Sequence, residues 1–397
     1  MKVFGIVSEF NPFHNGHASL IEEARRMGAT HIVSVMSGDF VQRGEPAVFS
    51  AQRRTRAALL NGVDLVLRLP VFYSLSGAEN FARGAVEILN GTGIIDCLIF
   101  GSECGDISKL REISAILDSN EFAAALHKEL DTGITFAKAR QNAVGALSPD
   151  LAPLLGEPNN ILGIEYIKAL KNTGSRIEPV TVRRKGASHG GGEICGNIAS
   201  GEEIRRRIAA GEEWKSLVPA RGYENGNCRD DMVISDRYDL LVLYRMHSLS
   251  KDEISRLPDI SEGIENRIFD AASAASTANE LYERIKTKRY TLARIRRTAA
   301  CAAAGITKDD AAMPAPYIRA AGFNANGAAL MREMKKTATL PVVTKAADTA
   351  ALSDTAKRAY ELECAAADIY SLCLEKPLPK GEEKRRKIMI IDSPAAD

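Results

Sequence analysis

The stretch EFNPFHNGHASL, from Glu9 to Leu20, decides the fold of this chain. It directly follows Lys2–Val7, a short apolar segment that is typical of a buried strand. Its second half opens an amphipathic helix predicted over His17–Met27 and closed by Gly28. A helix N-terminus presents unpaired N–H groups and the positive end of the helix dipole, and both suit a phosphate group. The sequence therefore predicts an anion-binding turn between a first strand and a first helix.

Two histidines in this turn are the first candidates for chemistry. His14 and His17 are one helical turn apart, so both can face one ligand, and Gly16 leaves no side chain between the backbone and that ligand. An imidazole can donate a hydrogen bond to a phosphoryl oxygen as charge builds up in a transition state. The competing interpretations are ordinary surface or capping histidines and a zinc site, for which no third ligand with suitable spacing is present.

Strands and helices alternate through the first part of the chain. The predicted strands show little polar alternation, which indicates a parallel sheet covered on both faces, so the fold class is α/β with a Rossmann-like parallel sheet. The further strands are predicted at His31–Met36, Asp64–Leu69, Asp96–Phe100 and Arg176–Val182, and helices at Ser50–Leu60, with Ser50 as N-cap, and at Ser76–Leu89.

The remaining chain divides by composition. Residues 107–175 are predicted to be mostly helical, Lys185–Asn197 to be a mobile glycine-rich loop, and Ser200–Ala210 to be a helix. From about Pro219 the sequence becomes helical and rich in alanine. We therefore predict a catalytic domain over residues 1–218, a mainly α-helical C-terminal domain over residues 219–376, and a charged, disordered tail over residues 377–397.

Composition excludes several classes of protein. Among 397 residues there are 52 Lys and Arg against 51 Asp and Glu, so only a local cluster of charge would attract a polyanion. The seven cysteines form no CxxC pair, which favours reduced thiols in a cytoplasm. No secretory signal and no transmembrane helix are expected. The sequence does not indicate the oligomeric state of the protein.

The pattern HxGH after an N-terminal strand resembles the nucleotidylyltransferase superfamily, whose Rossmann-like members include class I aminoacyl-tRNA synthetases. These enzymes attack the α-phosphate of ATP and expel pyrophosphate. The superfamily carries a second motif, a serine or threonine followed by a basic residue at a helix start, and SGEEIR from Ser200 to Arg205 stands in that place. Ser200 would cap the helix and Arg205 would reach the β- and γ-phosphates. An ordinary capped helix is the alternative, because Glu202 and Glu203 are awkward neighbours for a triphosphate.

A longer string, GIVSEFNPFHNGH, is similar to one family, the bacterial tRNA(Met) cytidine acetate ligases. The resemblance extends over nearly the whole chain, including the helical part. The other segments that carry it are SGDFVQRGEPAVF at Ser37–Phe49, LPVFYSLSGAENFARGAV at Leu69–Val86, FGSE at Phe100–Glu103, PNNILGIEYIKAL at Pro158–Leu170, GIENRI at Gly263–Ile268, KRYTLARIRR at Lys288–Arg297 and PYIRAAGFNANG at Pro316–Gly327.

This resemblance implies an enzyme that converts acetate and ATP to acetyl-adenylate and then acetylates the N4 amine of the wobble cytidine in elongator tRNA(Met). His14 and His17 would be catalytic. ATP would be the co-substrate; Mg²⁺ is possible with it but is not shown by the sequence, and no metal-binding residue is assigned. The implied ATP contacts are Val7, Ser8, Glu9, Phe10, Asn11, Pro12, Phe13, His14, Asn15, Gly16, His17, Leu20, Gly101, Asn159 and Arg184.

Two of these assignments have close rivals. Asn160 competes with Asn159, and Arg183 competes with Arg184. The segment KGASHGGG, which begins at Lys185, departs from the family pattern, where a Tyr-His pair is more usual. The contribution of this loop to the site is therefore left open.

A basic run is the candidate RNA contact. Between Arg284 and Arg297, seven of fourteen residues are Lys or Arg and none is acidic. Interleaved Tyr290 would stack on an unpaired base, and the alternative is a merely solvated face. Gln42, Arg43, Arg53, Arg54 and Arg56 form a second group that would meet RNA or phosphate. The candidate tRNA contacts in the run are Lys286, Lys288, Arg289, Arg294 and Arg297.

Two other functions fit part of the sequence. A small-molecule nucleotidyltransferase, either an adenylyltransferase or a carboxylate-adenylating synthetase, would use the HxGH turn but would not need the basic helical half. A non-catalytic RNA-binding protein would keep the nucleotide fold without its chemistry. ATP–pyrophosphate exchange distinguishes the three, because only the ligase requires acetate.

Overall fold

A computed structural model describes residues 1–184, 194–224, 231–261 and 263–392. Eight strands form one sheet, and two further strands form a separate hairpin beside it. The strands are β1 (Val3–Ser8), β2 (His31–Ser37), β3 (Phe40–Val41), β4 (Glu45–Pro46), β5 (Leu65–Leu69), β6 (Cys97–Ser102), β7 (Glu178–Arg183), β8 (Ile318–Phe323), β9 (Val342–Val343) and β10 (Met389–Ile390).

The order of the sheet places β1 at a change of direction. The order is β10-β8-β5-β2-β1-β6-β7, with β9 beside β8, and the hairpin joins β3 to β4. The chain runs outward from β1 to β2 and β5, and then crosses to the other side of β1 for β6 and β7. In open parallel sheets, ligands bind at the carboxyl ends of the strands that flank such a switch point. The crevice between β1 and β6 is therefore the expected site.

Helices cover both faces of the sheet and form most of the C-terminal half. The helices are α1 (Asn15–Arg26), α2 (Ala51–Leu60), α3 (Val71–Ser74), α4 (Ala78–Thr92), α5 (Ile107–Leu117), α6 (Asn120–Leu130), α7 (Phe136–Leu147), α8 (Pro158–Asn172), α9 (Gly201–Ala210), α10 (Ser235–Ser248), α11 (Lys251–Ser255), α12 (Ile264–Ala274), α13 (Ala278–Ile285), α14 (Leu292–Ala304), α15 (Lys308–Ala312), α16 (Ala325–Thr337), α17 (Asp354–Leu372) and α18 (Glu382–Arg385).

Alternating strand residues supply two cores. Phe4 and Ile6 of β1 point into a core shared with α1 and α2. Val3 of the same strand lies in a larger core that includes α4, α8 and the C-terminal helices. A strand buried on both faces needs apolar residues at every position, which explains the continuous apolar runs. The predicted α/β fold with a mainly helical C-terminal region is confirmed.

The sheet contains one strand that the sequence did not suggest. β8 lies inside the range predicted to be a helical domain, and it pairs antiparallel with β5. The sheet predicted to be parallel is therefore mixed at this edge. The division of the chain at residue 218 stays a prediction. The predicted mobile loop falls largely on residues 185–193, which lie outside the described residues.

The prediction of a disordered tail is wrong for the residues up to Asp392. β10 adds to the sheet beside β8, and Glu383 of α18 is almost fully buried. The Glu383 carboxylate forms ion pairs with Arg68 at 3.0 Å, Arg319 at 2.5 Å and Arg386 at 2.8 Å. These charges hold the pKa of Glu383 at about 2, so the carboxylate stays ionised and anchors the C-terminal segment to β5 and β8.

Candidate active site

A cavity of about 580 Å³ opens at the carboxyl ends of β1 and β6. It gathers most of the residues predicted to contact ATP, although they are far apart in the sequence. Among the described residues, the predicted ones that line it are Val7, Ser8, Glu9, Phe10, Asn11, His14, His17, Leu20, Gly101, Asn159, Arg184, Ser200 and Arg205. Pro12, Phe13, Asn15 and Gly16 support the turn from outside this lining.

The turn between β1 and α1 is fixed by its backbone contacts. Phe10 adopts a left-handed conformation with φ of 46°, which is costly for a residue with a side chain and is tolerated where the surroundings enforce it. The Asn11 side-chain oxygen accepts a hydrogen bond from the Val48 N–H at 2.8 Å, and the Asn11 carbonyl accepts one from Arg205 at 2.7 Å. The turn therefore presents its histidines from a rigid frame.

The two histidines form the N-terminal cap of α1. The His14 Nδ1 accepts a hydrogen bond from the Gly16 N–H at 3.1 Å, and the His17 Nδ1 accepts one from the His14 N–H at 3.1 Å. Their rings stack with centroids 3.7 Å apart. A neutral imidazole that accepts at Nδ1 carries its proton on Nε2. Each ring therefore offers an Nε2–H donor to a ligand, and the capping interpretation and the catalytic one are compatible.

Burial keeps both rings neutral. Burial, helped by the positive charges of Arg184 and Arg205, lowers the pKa of His14 to about 3. Burial and the adjacent His14 lower the pKa of His17 well below its usual range. Neutral donors suit this place, because they stabilise developing negative charge without having to be protonated first.

These pKa shifts predict how stability depends on pH. The unfolded chain binds a proton on His14 at its ordinary pKa of about 6.5, while the folded chain resists protonation until about pH 3. Stability is therefore highest above about pH 6.5 and falls as the pH drops toward 3. Between pH 7 and pH 5, we expect the free energy of unfolding measured with urea to fall by about 2 kcal/mol more in the unmodified protein than in His14→Asn. Asparagine keeps a capping acceptor and does not titrate. Equal losses in the two proteins would contradict the assignment.

On the β6 side of the cavity, one member of each rival pair, Asn159 or Asn160 and Arg183 or Arg184, lines the cavity and the other does not. The Asn159 amide donates to Glu103 at 2.6 Å, and its oxygen accepts from Arg184 at 3.3 Å, so both residues face the cavity. Asn160 is fully buried and holds the Cys104 N–H and the Leu154 carbonyl, which makes it structural. Arg183 does not line the cavity.

Glu103 and Gly101 complete this wall. Glu103 accepts hydrogen bonds from the backbone N–H groups of Asn159 at 3.3 Å and Asn160 at 2.8 Å, so it caps the N-terminus of α8. A Cβ atom on Gly101 would lie 3.0 Å from the Cγ of Arg184. The small residue at this position therefore lets the Arg184 side chain cross the end of β6 and reach the cavity.

Helix α9 brings a second basic group to the cavity. Ser200 caps this helix by accepting from the Glu203 N–H at 3.2 Å, as predicted. The acidic neighbours do not oppose an anion, because each has basic partners. Glu202 pairs with Arg43 at 3.0 Å, and Glu203 pairs with Arg206 at 2.9 Å. Arg205 remains directed at the turn and the cavity.

Several residues lining the cavity were absent from the predicted ATP contacts. Gln42 and Arg43 reach it from the β3–β4 hairpin, Glu103 from the end of β6, and Phe81 and Tyr166 from α4 and α8. Gln42 and Arg43 were predicted only as part of a basic group that would meet RNA or phosphate near the site, and not as ATP contacts. Their position in the sequence could have indicated this, because they lie in the turn of the short hairpin that follows the carboxyl end of β2.

Arg54 belongs to the frame of the site and does not contact RNA. Its side chain is fully buried, and it donates to the carbonyls of Phe49 at 2.9 Å, Glu9 at 2.6 Å and Ser37 at 3.2 Å, and to that of Gly38. Arg54 therefore joins the carboxyl ends of β1 and β2. The interpretation of this residue as an RNA or phosphate contact is wrong.

The basic run is only partly exposed. Tyr290 is buried, donates to the Ser261 carbonyl at 2.6 Å and is covered by the Arg294 guanidinium, so it cannot stack on a base. Arg297 is largely buried and lies 3.7 Å from Asp259. Lys286 and Lys288 are exposed and keep the role of candidate contacts, together with Arg289.

The described residues contain no cluster of three or more metal-ligating side chains. The six cysteines of these residues form no disulfide with one another. Among the helices of the described ranges, none is both long enough and apolar enough to cross a membrane.

Comparison with known proteins agrees with this geometry. The profile of the family described as HIGH Nucleotidyl Transferase matches residues 1–385. A tRNA(Met) cytidine acetate ligase of Acetivibrio thermocellus is 37% identical, over 98% of this chain and 100% of that protein. The enzyme of the same name from Thermoanaerobacter sp. strain X514 is 38% identical, over 94% of this chain and 95% of its own length.

Solved structures give the same result for the fold. The apo crystal structure of Thermotoga maritima TmcAL superposes with a TM-score of 0.93 at 30% identity, covering 99% of this chain and 100% of that one. The same protein bound with alpha-thio ATP superposes with a TM-score of 0.91 at 30% identity and the same coverage. The chain therefore belongs to the HIGH nucleotidyl transferases and, within them, to the family of the tRNA(Met) cytidine acetate ligases.

Proposed function

We propose that this protein activates acetate with ATP and transfers the acetyl group to the N4 amine of the wobble cytidine in elongator tRNA(Met). The observation that carries the proposal is the pair of neutral histidines whose Nδ1 atoms cap α1, so that two Nε2–H donors are available at the cavity. The similarity to ligases of this name over 94–98% of the chain supports the same reaction.

The reaction has two steps. An acetate oxygen attacks the α-phosphorus of ATP, and the bond to the bridging oxygen breaks with release of pyrophosphate. The cytidine amine then attacks the carbonyl carbon of acetyl-adenylate, loses a proton and displaces AMP. Adenylation supplies a good leaving group, so the protein must mainly align the reactants and stabilise the charge that spreads over the phosphoryl oxygens.

The residues around the cavity have distinct roles in this scheme. His14 and His17 donate to the α-phosphoryl oxygens. Asn159 and Arg184 hold the nucleoside end, and Arg205, carried by the helix that Ser200 caps, faces the leaving pyrophosphate. We expect Mg²⁺ to arrive with the triphosphate. Because the substrate is a tRNA, the protein would act in the cytoplasm.

ATP–pyrophosphate exchange tests the first step. Exchange that requires acetate is the expected result. Exchange with another carboxylic acid in place of acetate would favour a small-molecule nucleotidyltransferase. If no acid supports exchange, the result would favour a non-catalytic RNA-binding protein.

The tRNA would reach the cavity along the helical half. Helix α14 contacts the β3–β4 hairpin, where Arg296 pairs with Glu45, and this same hairpin carries Gln42 and Arg43 into the cavity. The exposed lysines before α14 would therefore meet a tRNA whose anticodon loop enters the site. An anticodon loop exposes its bases at little cost in unstacking.

Salt dependence tests this surface. Each lysine that neutralises a phosphate adds about one to the slope of log affinity against log salt. The double variant Lys286→Ala, Lys288→Ala should therefore weaken tRNA binding and reduce that slope by about two, without changing acetate-dependent exchange. The matched control is Lys335→Ala, Lys336→Ala, a pair of exposed lysines on α16. Equal slopes for the two double variants would show that Lys286 and Lys288 belong to a merely solvated face.

A further inference from the structure

The hairpin of β3 and β4 holds Gln42 in a fixed position at the cavity. The Gln42 N–H donates to the Glu9 Oε1 at 2.6 Å, which ties the hairpin to the end of β1. Gly44 has φ of +77° and lies so close to the backbone of Arg296 and Arg297 that a side chain there would collide with it. The Gly44 carbonyl also accepts from the Tyr238 hydroxyl at 3.4 Å. The backbone of Gln42 is therefore held from both sides.

The Gln42 side chain, by contrast, has an unused donor. Its Nε2 is buried and has no hydrogen-bond acceptor within the described residues, although the residue lines the cavity. A buried amide without an acceptor is costly, and native structures rarely keep one without a reason. A rotation of the side chain toward the cavity would let an oxygen atom of a ligand satisfy it.

The position of Gln42 indicates which ligand supplies that oxygen. The candidate nucleoside contacts Asn159 and Arg184 approach from α8 and β7, on the β6 side of β1. Gln42 follows β2, on the opposite side of β1. Phe81, another lining residue, comes from α4, which packs against α8 and also contacts β2 and β5. A neutral donor on the side away from the candidate nucleoside contacts, in a cavity whose lining includes the apolar Phe81 ring, matches a short carboxylate with an apolar end.

We propose that the Gln42 side-chain amide binds the acyl substrate by donating a hydrogen bond to a carboxylate oxygen of acetate. This inference rests on the proposed function. The same oxygen becomes the carbonyl oxygen of acetyl-adenylate, so the contact persists through activation and leaves the other oxygen free to attack the phosphorus. Gln42 then sets the affinity for the carboxylate and not the affinity for ATP.

The test is acetate-dependent pyrophosphate exchange by Gln42→Met, which keeps the length of the side chain and removes the donor. We expect the KM for acetate to rise about 10- to 100-fold, the range for a hydrogen bond to a charged group, with the KM for ATP unchanged. Gln52→Met, at an exposed position of α2, is the matched control and should behave as the unmodified protein. Thermal unfolding shows whether each variant is folded.

A second variant keeps the proposal testable if Gln42→Met does not fold. Gln42→Glu has nearly the same shape, replaces the donor with a negative charge, and should raise the KM for acetate further. A normal KM for acetate in the folded variants, or a raised KM for ATP alone, would overturn the assignment of Gln42 only. Lack of acetate-dependent exchange in the unmodified protein would overturn the proposed function and the assignment of Gln42 with it.

Discussion

Replacing His17 with Gln should lower the rate of acetate-dependent ATP–pyrophosphate exchange by about 100-fold or more, the scale observed when one donor to a transition state is removed. His17 occupies the third position of α1, and its Nδ1 accepts from the N–H of the cap residue. Glutamine at this position is a usual partner in a capping box, so it keeps the helix start intact. The change removes the imidazole Nε2–H from its fixed direction, and the exchange rate measures that loss.

His14→Asn is the companion variant, since asparagine is a preferred N-cap and keeps an acceptor for the Gly16 N–H. We expect a loss of similar size. The matched control is His127→Gln, at an exposed position of α6, which should exchange at the normal rate. If both turn variants fold and exchange pyrophosphate normally, the two histidines are capping residues only.

Arg54→Met should lower the free energy of unfolding by about 3 kcal/mol or more. Arg54 is fully buried and satisfies four carbonyl groups, at Phe49, Glu9, Ser37 and Gly38. Methionine fills much of the same space and donates no hydrogen bond, so these carbonyls lose their partner, at a cost of about 1–3 kcal/mol for each one left unsatisfied. Urea unfolding measures the loss.

Arg56→Met is the control for this prediction, because it lies on the same helix with an exposed side chain. Substitutions at such surface positions usually change stability by no more than about 0.5 kcal/mol. Equal stability of the two variants would mean that Arg54 does not hold the ends of β1 and β2 together. We also expect exchange to fall in Arg54→Met, since those strand ends frame the cavity.

The alternating part of the fold could be predicted because its signals are local. The strands β1, β2, β5 and β6 are short apolar runs, and the cap at Ser50 was recognised from the residue type, with its side chain accepting from the Arg53 N–H at 3.2 Å. The site at the end of β1 followed from the same reasoning, because a ligand position in a parallel sheet depends on topology. The catalytic roles of His14 and His17 stay predictions.

The features that sequence did not reveal depend on distant contacts. β8 pairs with β5, some 250 residues earlier in the chain, and its alanine-rich sequence carries no strong strand signal. Arg54 lies in a run of arginines that is typical of a charged, exposed helix face. It can be buried because the carbonyl groups at the ends of β1 and β2 accept its hydrogen bonds. Tyr290 likewise is covered by an arginine four residues later and by Ser261.

Mass spectrometry of elongator tRNA(Met), after incubation with the protein, ATP and isotopically labelled acetate, shows whether the protein acetylates this tRNA. Digestion to nucleosides and to oligonucleotides would identify the modified base and its position. We expect one labelled acetyl group on the wobble cytidine, dependent on both ATP and acetate, and almost none with His17→Gln. If the protein carries out acetate-dependent exchange but leaves the wobble cytidine unmodified, this result would contradict the proposed acetylation of elongator tRNA(Met).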